Sequence, residues 1–280
     1  MKFLKNIEDK VVSIKQMTII KAFFVMVISI LLEAFGQIPI SILDIFSRHF
    51  TNIAPFINFA SGVLVKYFVI IILLRWYSVT SYEQPHKKRL DRRKFIFVAL
   101  IIIGFRLTYD NSLIYWVNKI PMPDFINRAF EEIAMTPIVM ILTIAVIAPI
   151  YEEVIFRGIL LRGMANKMNK TLALVVSALF FAMLHMNIPQ GINAFFLGLI
   201  IGSIYLSTGS IYLCIFAHFI NNSVGITISG ALQLVTGKYT ILTRGIAFVV
   251  GITILIIAYN YYKKNKTGEL PDIYKQFVEI

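Results

Sequence analysis

The sequence has little cysteine and little acidic charge. A single cysteine, Cys214, occurs among 280 residues, so no disulfide can form within the chain and cysteine cannot build a metal site. The last residues, 277–280, contain no cysteine that a prenyl group could modify. Asp and Glu number 15 against 27 Lys and Arg, which leaves a formal net charge of +12.

Long polar stretches are also scarce. Hydrophobic residues make up 58% of the chain and the mean hydropathy is +0.77, whereas a soluble domain contains about 45–50% apolar residues. Several runs approach or exceed about 18 apolar residues, the length that a membrane-spanning helix needs. The composition therefore predicts an all-α, polytopic membrane helix bundle, most simply one membrane domain over residues 1–280.

The lengths of the apolar runs predict about eight transmembrane helices. A basic segment over residues 1–18 precedes them. The first apolar run reaches Glu33 without a small-residue cleavage pattern, so we expect a retained span rather than a signal peptide. The predicted spans are 20–44, 54–76, 95–117, 136–164, 171–187, 191–207, 211–233 and 242–262.

Most of the positive charge lies in short loops beside the apolar runs. With a cytoplasmic N-terminus, the clusters 87–94, 162–170 and 263–266 all face the cytoplasm, and the long loop on the other side is acidic. This is the positive-inside pattern, which predicts cytoplasmic N- and C-termini and argues against a nucleic-acid partner. Membrane lipid is therefore a predicted partner, and the Ile- and Lys-rich composition with short loops favours a bacterial plasma membrane.

Two adjacent glutamates lie inside the fourth predicted span. An ionised group at the bilayer centre costs at least about 2.5–3.5 kcal/mol, so it indicates a partner or a function. On a helix, Glu153 and Arg157 lie four residues apart and share a face, whereas Glu152 projects about 100° away. We predict that Arg157 neutralises Glu153 while Glu152 stays free, which gives the two carboxylates the different environments that acid–base chemistry needs.

Histidine and asparagine side chains occur at similar depths in two later spans. A rise of 1.5 Å per residue places Glu152 and Asn222 roughly 17–18 Å deep, His185 roughly 21 Å and His218 roughly 11 Å. Each group alone also fits a structural role, as a buried ion pair or as an interhelical hydrogen bond. Because three helices bring them to one layer, we predict a shared polar site.

Together these motifs resemble the CPBP (Abi) family of intramembrane proteases, which includes the type II CAAX prenyl endopeptidases and bacteriocin-associated proteins. The resemblance covers residues 136–225 and rests on Glu-Glu-x-x-x-Arg, Phe-x-x-x-His and His-x-x-x-Asn, each in its own apolar span. It implies hydrolysis of a peptide bond inside a membrane cavity, with a membrane-bound or lipidated peptide or protein as the substrate partner. By position, it implies a catalytic set of Glu152, Glu153, Arg157, His185, His218 and Asn222.

No Ser, Cys or Asp arrangement in these spans resembles an activated nucleophile, so water is the predicted nucleophile. We expect Glu152 to take a proton from that water and His185 to orient it. His218 and Asn222 are the predicted donors to the oxyanion. Zinc stays open as a cofactor, because His185, His218 and Glu152 could bind it with a water, although a metal-free mechanism fits as well.

Two other functions are compatible with the sequence. One is a non-catalytic membrane partner, such as a bacteriocin-immunity or scaffold protein on the same fold. The other is a transporter with an intramembrane proton relay, for which we find no inverted repeat. Glu33 and Lys66 are expected to be a structural pair or headgroup-level residues outside the site. A prenylated C-terminal tripeptide, a leader peptide and a membrane-protein segment all fit as substrates.

Overall fold

The computed structural model describes residues 2–47, 54–80, 91–134, 136–234 and 241–264. These residues are mostly helical. The helices are α1 (Lys2–Glu8), α2 (Ile19–Ser47), α3 (Ala54–Tyr77), α4 (Arg92–Asp110), α5 (Ile114–Val117), α6 (Asp124–Ala134), α7 (Pro137–Ala165), α8 (Lys170–Leu184), α9 (Ile188–Thr208), α10 (Ile211–Leu234) and α11 (Ile241–Lys264). Two short strands, β1 (Val12–Ile14) and β2 (Ser78–Thr80), pair antiparallel and were not predicted.

Every predicted span corresponds to a helix, but not every helix is long and apolar enough to cross a membrane. Within the described ranges five are, namely Ile19–Ile40, Ala54–Tyr77, Pro137–Ala165, Ile188–Thr208 and Ile241–Ala258. The helix α8 has only 15 residues. A polytopic helical bundle is thus supported, whereas the count of eight is not confirmed. Residues 87–89, 266 and 277–280, used in the predictions above, lie outside the described residues.

The basic N-terminal segment is packed into the bundle, which the sequence did not predict. Ile7, Ile14 and Met17 are buried. The backbone N–H of Met17 donates to the carbonyl oxygen of Gly163 in α7 at 2.9 Å. A Cβ at Gly163 would lie 2.9 Å from the Met17 side chain, so glycine permits this close approach. The segment therefore packs against the end of α7 that is predicted to face the cytoplasm.

The helix α7 contains two π-helical stretches, one before and one after the two glutamates. Its α-helical parts Pro137–Ile141, Ala148–Glu153 and Arg162–Ala165 alternate with π-helical Leu142–Ile147 and Val154–Leu161. Such π-helical turns are rare and often occur at functional sites. Pro149 is one cause, because it has no N–H to donate to the preceding turn. Glu152 and Glu153 thus end a short α-helical stretch between two wider ones.

Candidate active site

Glu153 lies at the centre of a buried network. One oxygen, Oε1, accepts a hydrogen bond from Nη1 of Arg157 at 2.9 Å and lies 2.7 Å from Nδ1 of His218. The Glu153 and Arg157 side chains are only 0% and 1% exposed. Arg157 also donates to the carbonyl oxygen of Gly198 in α9 at 3.3 Å. The structure thus contains the predicted Glu153–Arg157 pair and adds His218, so the network joins α7, α9 and α10.

Glu152 has a different environment from its neighbour. Its side chain is 17% exposed, and its Oε2 lies 3.9 Å from Nε2 of His218. That distance is too long for a direct hydrogen bond and suits a bridging water. Because an ionised carboxylate only accepts, the Nδ1 of His218 carries a hydrogen toward Glu153, and a neutral ring presents Nε2 toward Glu152 as an acceptor.

His185 lies at the end of α8 and not inside it. The helix stops here because Met186 takes a φ of 52° and Asn187 caps the start of α9. The Nδ1 of His185 lies 3.0 Å from the carbonyl oxygen of Phe181, so the neutral ring donates there and keeps Nε2 free. The Phe181 ring meets the His185 and His218 rings edge-on, with centroids 5.2 and 5.7 Å away. Phe181 therefore packs against both histidine rings.

The side-chain amide of Asn222 is already engaged. Its Nδ2 donates to the carbonyl oxygen of Ile144 at 2.8 Å. In this π-helical turn the N–H of Ala148 donates to the carbonyl oxygen of Thr143. The same pattern would pair the next residue, Pro149, with the carbonyl oxygen of Ile144, but proline has no N–H. Asn222 thus supplies the donor that the proline removes. The predicted oxyanion role of Asn222 then depends on the second hydrogen of its amide.

The described residues contain no group of three or more His, Cys, Asp or Glu side chains that could hold a metal ion. The Nδ1 of His218 faces Glu153, and its Nε2 is 3.9 Å from Glu152. These residues therefore do not form the three-ligand zinc set that the sequence left open. Zinc stays a prediction, which metal analysis of the purified protein and chelator sensitivity of its activity would test.

A second polar cluster lies beside the site. Lys66 of α3 and Glu33 of α2 form an ion pair, with side chains 21% and 27% exposed. The Nζ of Lys66 lies 4.7 Å from the ring centroid of Tyr151, the residue that precedes Glu152. The pair was predicted as structural and separate from the site. Its contact with Tyr151 was missed, although two charges within apolar runs were a usable signal.

Known proteins resemble this chain over the region that holds the site. Residues 134–224 match the family model described as type II CAAX prenyl endopeptidase Rce1-like. These residues, the Rce1-like segment, are similar to the proteins of that family. The Rce1-like segment runs from the residues just before α7 to the middle of α10 and contains all six predicted site residues.

A curated relative agrees with this assignment. The protein of Bacillus subtilis (strain 168) that carries the provisional name membrane peptidase YdiL is 27% identical over 127 residues. The match covers 45% of this chain and 50% of the relative, so the chain spans about half the length of that protein. No solved structure matches the chain. The Rce1-like segment and this relative together support a membrane protease in general terms.

Proposed function

We propose that the protein is an intramembrane endopeptidase that hydrolyses a peptide bond in a membrane-associated peptide or protein. The supporting observation is that His218 lies between two glutamates in different environments. Its Nδ1 is 2.7 Å from buried Glu153, and its Nε2 is 3.9 Å from the more exposed Glu152. One carboxylate is held by partners, while the other is left to act on a water molecule.

In this proposal Glu152 is the general base. It takes one proton from a water whose oxygen attacks the carbonyl carbon of the scissile bond. The same proton then passes to the leaving amine nitrogen as the C–N bond breaks. The products are an amine and a carboxylic acid, which keeps the second proton of the water. His185, with its Nε2 free of intrahelical contacts, orients the water.

The tetrahedral intermediate carries a negative oxygen that needs hydrogen-bond donors, each worth about 2.7–4 kcal/mol in the transition state. Asn222 would offer the amide hydrogen that Ile144 does not use. His218 would donate from Nε2 when its ring holds both protons, because Nδ1 already faces Glu153. Arg157 and Glu153 would keep α7 in register and leave Glu152 without an arginine partner.

The proposed orientation and location in the membrane depend on the distribution of basic residues. Basic clusters such as Arg162, Lys167 and Lys170 at the joint of α7 and α8 support cytoplasmic N- and C-termini in a bacterial plasma membrane. The substrate would approach Glu152 within the bilayer. A prenylated tripeptide, a leader peptide and a membrane-protein segment all satisfy that requirement.

The test compares the membrane peptides of cells that carry the wild type, Glu152→Gln or Glu131→Gln. Glu131 is an exposed carboxylate of α6 and serves as the matched control. Loss of a general base lowers turnover by about 10²–10⁴-fold, so the products should disappear only with Glu152→Gln. Unchanged products with a folded, membrane-inserted Glu152→Gln protein would reject the peptidase proposal and favour a non-catalytic partner.

A further inference from the structure

A small cavity lies away from the glutamates, at the end of α7 that is predicted to face the cytoplasm. Its volume is about 160 Å³ and it is partly open. Four parts of the chain form its wall, namely the turn after α1, the end of α7, the start of α8 and the end of α9. Since liquid water occupies about 30 Å³ per molecule, the cavity has room for one compact polar group.

Three cations line this cavity, Lys10, Arg162 and Lys170. Within the described part of the chain none of them forms a salt bridge. No carboxylate is among the lining residues. Two carboxylates, Glu8 and Asp9, precede Lys10 in the sequence, and Glu8 accepts from the backbone N–H of Ile211 at 2.7 Å and so caps α10. The cavity therefore concentrates positive charge without a carboxylate in its lining.

Arg162 is the most informative of the three cations. Its Nη1 is buried and finds no hydrogen-bond partner among the described residues. An unpaired buried donor is unfavourable, and more so when it is charged. The cavity offers the neutral side chains of Asn166 and Tyr205 as further polar lining. A planar guanidinium with spare donors is suited to bidentate contact with phosphate oxygens.

The backbone of the cavity wall is unusual at two lining positions. Lys10 has a φ of 55° and Gly209 a φ of 64°, both in the left-handed region. For a lysine this conformation is uncommon, and such residues cluster at ligand-binding sites when the surrounding structure holds them there. The left-handed turn places Lys10 in the wall of the same cavity as the cations of α7 and α8.

From the cavity, its unpaired cations and the strained Lys10, we propose that this is a binding site for a phosphate group, supplied by an anionic phospholipid of the adjacent leaflet. The ends of three apolar helices form the wall, which places the cavity at the level of the lipid headgroups. Basic pockets between helices on the cytoplasmic side bind anionic headgroups through such contacts. A headgroup bound here would tie Lys10 of the N-terminal segment to Arg162 of α7. The site does not depend on peptidase activity.

Binding can be measured on the full-length protein by thermal unfolding. Cys214 is the one cysteine and is buried, so a thiol-reactive dye reports unfolding. Mixed micelles with phosphatidylglycerol should raise the wild-type midpoint above that in phosphatidylcholine micelles. The expected rise is about 3–6 °C when the lipid is tenfold above its Kd. Arg162→Gln, Lys170→Gln and Lys10→Asn should each lose most of that rise.

Lys167→Gln is the matched control, because Lys167 is exposed, lies between Arg162 and Lys170 and does not line the cavity. It should keep the wild-type response. An equal rise in both lipids, or an equal loss in Lys167→Gln, would overturn the site in favour of general surface attraction. Saturable stabilisation by inorganic phosphate without an effect of phosphatidylglycerol would overturn the lipid source. If Arg162→Gln does not fold, the lipid responses of Lys170→Gln and Lys10→Asn, which change partly exposed side chains, test the site.

Discussion

Two ion pairs within the apolar helices have the same chemistry but different surroundings. Glu153 and Arg157 are 0% and 1% exposed, whereas Glu33 and Lys66 are 27% and 21% exposed. The first pair shares an oxygen with Nδ1 of His218 from another helix. The second pair joins α2 to α3 and touches Tyr151 through the Lys66 ammonium.

The difference indicates what each pair does. A buried charge without a partner is very unfavourable, so the shared Glu153 oxygen holds α7 and α10 in one arrangement. A partly exposed pair is less enclosed by the protein, so its geometry matters less. We therefore expect the Glu153 network to determine the position of His218, and the Glu33 pair to adjust local packing.

The largest predicted effect comes from breaking the buried network. Arg157→Met should lower the free energy of unfolding by about 3–5 kcal/mol, because it leaves the Glu153 carboxylate without its cation. The measurement is denaturant unfolding in mixed micelles, followed by dye labelling of Cys214. Arg75→Met, which removes an exposed arginine of α3, is the control and should change the free energy little.

The double variant Glu153→Gln, Arg157→Met sharpens this prediction. It leaves no unpaired charge, and the amide oxygen of Gln can still accept from His218, so part of the lost stability should return. If the double variant is less stable than the single one by the full cost of a second independent loss, the two side chains are not a coupled pair.

The sequence predicted local contacts of the site well and contacts between helices poorly. The pairing of Glu153 with Arg157 follows from four-residue spacing on one helix, and the structure contains it. The contact of Glu153 with His218 spans 65 residues and depends on how α7 and α10 are rotated, which apolar run length does not specify. The cap that Glu8 provides for Ile211 spans 203 residues and was missed for the same reason.

Helix ends were the other weak point. A count of apolar residues placed His185 inside a span, whereas the chain turns at Met186, and His185 is the capping residue that follows α8. One signal was readable: Pro149 within an apolar run removes a backbone donor, so a carbonyl of the preceding turn needs another partner. The amide of Asn222, at a similar predicted depth, is that partner.

The contact between Asn222 and Ile144 gives an intermediate effect. Asn222→Ala should destabilise the protein by about 1–3 kcal/mol, because the partly buried carbonyl of Ile144 loses its donor. In a Pro149→Ala background the helix regains an N–H, so the same change should cost clearly less. The free energies of unfolding of the four proteins form a double-mutant cycle. Additive costs, with no coupling, would mean that Asn222 does not compensate for the proline.

The smallest predicted effect concerns Glu33 and Lys66. Coupling between polar groups of membrane helices averages about 0.6 kcal/mol and reaches about 1.7, since the separated groups find other partners. A cycle of Glu33→Gln and Lys66→Met should give a value in that range, well below that of Glu153 and Arg157 measured in the same micelles. Partial exposure is the reason, because either charge can find partners other than its ion-pair neighbour when that neighbour is removed. A coupling energy as large as that of the buried pair would show that Lys66 is shielded from water, and it would extend the rigid part of the site through Tyr151 to α2 and α3.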